Sequence, residues 1–156
     1  MPATSKLGRP IWFVDNLARV RVSGDETARR LVLVELSGRR GHMPPLHIHH
    51  QEDEAFVLLE GEIMLYVGGE VHRLAAGETA LGPKGVPHTF RVESETARWL
   101  AVAAPAGFDR FIAAVGEPAP DAVLPVEPVM PDPNRFAAIC EEFGMEILGP
   151  PGTLPS

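Results

Sequence analysis

From Ile11 to Ala103, short apolar-rich runs alternate with turns marked by glycine and proline, the punctuation of a strand-rich chain. Ile11-Trp12-Phe13-Val14 predicts a first short strand. Asp15-Asn16 then turns the chain into LARVRVS, where Leu17, Val20 and Val22 mark a second. After a turn at Gly24-Asp25-Glu26, ARRLVLVELS sets Leu31, Leu33 and Glu35 in alternation with Val32, Val34 and Leu36. Apolar on both faces through its middle, it predicts a central strand. A histidine-rich strand follows, then EAFVLLEGEIMLYVGGEVHRLAAGE, which divides into strands over 54–60, 62–67 and 70–74. Glu60-Gly61 and Gly68-Gly69 supply the tight turns, and the Gly-Gly pair predicts a type I′ hairpin with positive φ at both glycines. Strands over 79–82, 87–92 and 97–103 bring the series to roughly nine or ten, as expected of an all-β sandwich or barrel.

The period changes at Pro105. In GFDRFIAAVG, Phe108, Phe111, Ile112 and Val115 recur at helical spacing before Gly116, which predicts a short helix with a C-terminal glycine cap. Residues 117–133 hold Pro118, Pro120, Pro125, Pro128, Pro131 and Pro133, and are expected to cross the surface as stiff, extended chain. PNRFAAICEEFG predicts a second helix between Pro133 and Gly144, and the Ile147-Leu148 pair is expected to dock on the barrel or on a partner subunit. The chain thus divides into a loose arm (residues 1–10) and β-barrel through residue 104, and a helical, proline-rich extension over 105–156 packed on it. Together they make a single domain.

Composition narrows the function. Asp and Glu outnumber Lys and Arg 21 to 14, and the basic pairs Arg29-Arg30 and Arg39-Arg40 read as solvated strand ends, so nucleic acid is not an expected partner. Cys140 is the only cysteine, so no intrachain disulfide can form and a reducing compartment fits. Within AAICEEF it reads as a small buried hydrophobe rather than a nucleophile. No apolar run approaches the ~20 residues of a membrane span, and MPATSKLGRP lacks the apolar segment of a secretory signal. A soluble, cytoplasmic protein acting on a small molecule is the expectation.

The candidate chemistry lies in GHMPPLHIHHQEDEAFVLLEG, from Gly41 to Gly61. His47 and His49, at i and i+2 of a strand, project from one face. Glu54 opens the next apolar run, and His88 lies in a second turn-rich stretch, GETALGPKGVPHTF. Three imidazoles and a carboxylate are the parts of a site for one first-row divalent metal ion: Fe, Mn, Ni, Co, Cu or Zn. His50 should point away from His49, and His42 and His72 lie off the pattern, so these three are expected at the surface or behind the ligands. Glu52 and Asp53 are expected to be solvated loop acids.

These residues resemble the two motifs of the cupin family. The first is a glycine, five residues, His-x-His, three or four residues, Glu, six residues and a glycine, met here by Gly41, His47, His49, Glu54 and Gly61. The second is met by Gly77, Pro83, Gly85 and His88, but Val92 stands where the motif has an Asn that is not a metal ligand. The resemblance implies a small jelly-roll barrel, here with short C-terminal helices, holding one ion on His47, His49, Glu54 and His88. Four protein ligands leave two positions of an octahedral ion open, as a reactive site requires. A metal that only stabilises the barrel is the plainer alternative. The segment around PHTF and the helical continuation are similar to bacterial quercetinases. That likeness implies a metal-dependent dioxygenase acting on a small enol-bearing or aromatic molecule, with Glu54 as both ligand and base. The competing reading is a non-oxidative cupin, either an isomerase or a small-ligand-binding protein.

Phe56 and Leu58 share Glu54's strand parity and Phe90 shares that of His88, so all three are expected to line an apolar substrate cavity. Met64 and Tyr66 share a face that lines the pocket or packs at a dimer interface. Core packing explains these residues almost as well. An open sheet edge, the Ile147-Leu148 pair and the proline-rich span predict a homodimer.

Overall fold

The computed structural model describes residues 8–156, so most of the arm expected over 1–10 lies outside it. Ten strands come first: β1 (Ile11–Phe13), β2 (Asn16–Val22), β3 (Val32–Arg39), β4 (Leu46–His49), β5 (Asp53–Glu60), β6 (Glu62–Val67), β7 (Glu70–Ala75), β8 (Thr79–Gly82), β9 (His88–Val92) and β10 (Thr96–Ala104). Helix α1 (Phe108–Val115), the short β11 (Glu117–Pro118), α2 (Pro133–Glu142) and β12 (Met145–Gly149) follow. They build two antiparallel sheets in a jelly roll, one ordered β11-β1-β2-β3-β10-β5-β8 and the other β12-β4-β9-β6-β7.

The alternation along each strand fills the space between the sheets. Val32, Val34 and Leu36 of β3, Trp99 and Ala101 of β10, and Phe56 and Leu58 of β5 join Ile63 and Leu65 of β6 and Phe90 and Val92 of β9 in one buried cluster. β3 lies mid-sheet, as its two-faced apolar pattern predicts. The motif glycines Gly41, Gly61, Gly77 and Gly85 all take φ between +80° and +90°, a region that residues with a Cβ rarely enter. The β6–β7 hairpin is not the type I′ turn expected: Gly68 takes φ +55° while Gly69 stays outside the left-handed region. A tertiary contact absent from the local pattern anchors it, Gly68 N–H donating to Pro87 O at 2.8 Å.

In the extension, α1 buries Phe108, Phe111, Ile112 and Val115 and closes on Gly116, whose N–H donates to Ile112 O at 2.8 Å. α2 starts at Pro133 and is capped by Asp132, whose carboxylate accepts from the N–H groups of Asn134 and Arg135, both at 3.1 Å. Cys140 is buried in α2, and burial pushes its thiol pKa up. Beyond the β11–β1 pairing at its start, the proline-rich span is pinned where Trp12 Nε1 donates to Val123 O (2.8 Å), where Arg39 Nη1 donates to Pro125 O (2.7 Å), and where Val14 bridges to Val129. The tail does more than dock. It forms β12 along the edge of β4, with Ile147 opposite His47 and Met145 opposite His49. Among the described residues no helix is long and apolar enough to cross a membrane.

Candidate metal centre

β4 turns His47 and His49 inward together, and β9 sets His88 opposite His47 in register. β5, in the facing sheet, directs Glu54 into the same space. All four side chains are buried, and one ligand atom from each lies within 4.8 Å of the others. The cluster therefore bridges the sheets, with three imidazoles from one and the carboxylate from the other.

Each imidazole is tied through Nδ1. That of His47 donates to Pro45 O (2.6 Å), that of His49 to Glu52 Oε1 (2.6 Å), and that of His88 approaches Val86 O (3.4 Å). This leaves Nε2 of each ring as the ligating atom. The Nε2 atoms of His49 and His88 are buried with no hydrogen-bond partner. Glu54 Oε2 lies 2.9 Å from His49 Nε2 and 3.7 Å from His88 Nε2, close enough for charge attraction without a hydrogen bond to either. Buried nitrogens without partners are costly. A divalent cation among them would satisfy both, with His47 and Glu54 completing its ligands, so the residues fit the ion.

The metal-free cluster divides its protons unevenly. Burial, together with His88 and His49, lowers His47 to about 3, so it is a neutral, ready ligand at pH 7. Burial also opposes charge on His49, but the Glu54 and Glu52 carboxylates outweigh it and raise its pKa to about 10. Burial pushes Glu54 upward as well, yet His49 beside it holds that carboxyl well below the usual range. Without metal the site is a buried His49–Glu54 ion pair.

Two residues depart from their expected places. Glu52 is not a solvated loop acid: it is 5% exposed and held inward by its bond to His49. Asp53 does stay at the surface, accepting from Lys84 N–H at 2.8 Å. A carboxylate behind a ligating imidazole fixes the tautomer and raises ligand basicity. Glu52→Gln should therefore lower metal affinity about 10- to 100-fold with all four ligands still present, as read by competition against a chromophoric chelator. Unchanged affinity would reduce the contact to packing. The second departure is His42, which is buried: its Nδ1 donates to Asp15 Oδ1 (2.6 Å), its Nε2 accepts from Asn16 Nδ2 (3.1 Å), and its ring stacks on Trp99. Only burial distinguishes it from His50 and His72, which do sit outside, paired with Glu146 (2.8 Å) and Glu70 (3.0 Å).

A cavity of about 220 Å³ opens beside the cluster, lined by His47, His49 and Glu54 and by aromatic side chains that include Phe90, Trp99, Phe108 and Phe111. Phe90 is thus where its parity places it. Phe56 and Leu58 are fully buried but are not among the lining residues. Phe56 packs edge-on behind His88, ring centroids 6.0 Å apart. Met64 and Tyr66 lie on the outer face of β6, because Ile63, Leu65 and Val67 take its inward positions. The extension supplies lining residues that strand parity did not point to: Met130, Phe136, Met145 and Ile147.

Two facing antiparallel sheets with a His-His-Glu-His cluster between them define a jelly roll with a candidate metal site, and comparison with known proteins agrees with the fold. Residues 38–103 match the cupin domain family. Over 111 residues the chain is 30% identical to the quercetin 2,3-dioxygenase of Bacillus subtilis (strain 168), covering 71% of this chain and 33% of that one. In fold it is similar to an RmlC-like cupin from Shewanella frigidimarina (TM-score 0.56, 17% identity, 70% of this chain and 92% of that one). It is similar also to a predicted oxalate decarboxylase from Thermotoga maritima (TM-score 0.59, 18% identity, 67% and 99%). The chain belongs to the cupin superfamily. It spans about a third to a half of the length of the curated relatives it matches.

Proposed function

We propose that this cupin holds one first-row divalent ion on His47, His49, Glu54 and His88 and acts as a dioxygenase on a small enol-bearing or aromatic molecule. The observation that carries this reading is that three of the four cluster residues, His47, His49 and Glu54, line an aromatic-walled cavity instead of being sealed by protein. A purely structural metal needs no such opening. Similarity to the Bacillus quercetin 2,3-dioxygenase supports it. When bound, the ion supplies Lewis acidity and open positions for substrate oxygen. The chain's own residues do the rest. Glu54, kept ionised, is in the form that accepts an enol proton. Phe90, Trp99, Phe108 and Phe111 hold a flat apolar body and exclude water. Metal-loaded protein given a panel of flavonols and diketones should consume dioxygen with at least one and show no turnover anaerobically. Anaerobic turnover would favour an isomerase instead, and tight binding without turnover a ligand-binding protein.

We propose further a cytoplasmic homodimer. The lone, buried Cys140 suits a reducing compartment. Val71 on edge strand β7 and Leu81 on edge strand β8 are exposed, and Met64 and Tyr66 lie on the outer face of β6. Open edges of this kind are commonly covered by two-fold pairing. Light scattering at high micromolar concentration should return about twice the chain mass of 16.9 kDa, and the monomer mass would refute it.

A further inference from the structure

We propose that the cavity has a second polar pole, built from Asn16 and His42, that selects ligands bearing a hydroxyl at the end remote from the metal cluster. The proposal rests on the binding of substrate oxygen at the ion put forward above.

The lining side chains that carry hydrogen-bonding or charged groups fall into two sets. His47, His49 and Glu54 form one, Asn16 and His42 with the Trp99 indole stacked on it form the other, and the remaining walls are hydrophobic. Strand β9 measures the distance between the sets. His88 lies opposite His47, whereas Val92 N–H donates to His42 O at 3.0 Å. Four strand residues at ~3.3 Å each separate the two levels by roughly 13 Å. Phe90 stands midway, its ring centroid 5.5 Å from that of His42. A small linked aromatic system spans such a gap.

Asn16 is the part of this pole that still lacks a partner. It is 3% exposed, and its Nδ2 donates to His42 Nε2 at 3.1 Å. His42 is in turn fixed by Asp15, so the chain Asp15–His42–Asn16 dictates which way the amide points. Asn16 Oδ1 is left buried and unpaired. Gly38 lies against it: a Cβ there would come within 2.8 Å of this oxygen and 3.3 Å of Trp99. Burying an unpaired amide oxygen is costly, and a ligand hydroxyl would remove that cost. The chemical class that follows is a flat, largely apolar molecule with chelating oxygens at one end and a free hydroxyl at the other. Sites that hydrogen-bond a substrate group discriminate more strongly than apolar walls do.

Anaerobic calorimetry of the metal-loaded protein tests this apart from turnover. The probes are a flavonol with no other hydroxyl and the same flavonol with one hydroxyl on its far ring. Wild type should bind the second about tenfold more tightly. Asn16→Leu should abolish that preference. Gly38→Ala, whose Cβ crowds Asn16 Oδ1, should shrink the preference and serves if Asn16→Leu does not fold. Equal binding of the two probes by wild type, or no binding of either, overturns the proposal. A tenfold preference without any dioxygen uptake leaves the pole standing and removes the dioxygenase reading.

Discussion

Purified His49→Ala protein should carry almost no metal, where wild type should carry about one first-row ion per chain. His49 is the ligand with most at stake, bonded through Nδ1 to Glu52 and 2.9 Å through Nε2 from Glu54. Its removal takes away a donor and leaves two buried carboxylates without their cation, which costs stability as well. Elemental analysis gives the answer, and stoichiometric metal in a chain lacking both His47 and His49 would sink the assignment. The same residue sets the pH response. In the metal-free protein His49 keeps its proton up to about pH 10 and His47 is neutral above about pH 3, so each bound ion must displace about one proton. Apparent affinity should then rise roughly tenfold per pH unit between about pH 7 and 9. For the metal-free fold the sign is opposite. A raised His49 pKa contributes stability that is whole below the unfolded value near 6.5 and is lost as pH climbs toward 10.

Glu54→Gln should separate a ligand from a base. If Glu54 serves only to hold the ion, metal content and activity fall together and turnover per bound metal stays at the wild-type value. If it also takes the enol proton, the metal-loaded variant binds substrate yet turns over about 10²- to 10⁴-fold more slowly per metal. That range is too wide to be mistaken for incomplete loading. Wild-type turnover per metal would leave Glu54 a ligand and nothing more.

Much of the fold was legible because its strands carry their burial pattern locally. Val32, Val34 and Leu36 alternate with more exposed neighbours in sequence as they do in the sheet, and the helical spacing of Phe108, Phe111, Ile112 and Val115 marks the face that α1 buries. The ligand cluster was legible for a related reason: His47 and His49 need only strand parity to converge, and glycines fix where the strands begin. Glu52 and His42 were not. A carboxylate three residues past a histidine looks the same whether it is solvated or folded back, and only the path of the loop from β4 to β5 decides. His42 is buried by Trp99 and Phe90, residues remote in the chain. β12 gave little strand signal because MEILG stands at a sheet edge with most of its side chains open to water, so no alternation was imposed on it.

β4 carries two of the four ligands, yet its ladder with β9 consists of one register pair, His47 with His88. The rest of its strand pairing comes from Met145–Gly149. A chain emerging from the ribosome delivers its N-terminal portion first. The two sheets can therefore collapse on their apolar faces while the ligand strand still waits for its edge partner. A chain cut before Met145 would contain all four cluster residues and yet lose the strand that pairs with the outer edge of β4. The strand that carries two of the four cluster residues is thus seated by a segment that lies beyond the rest of the barrel and both helices in the chain.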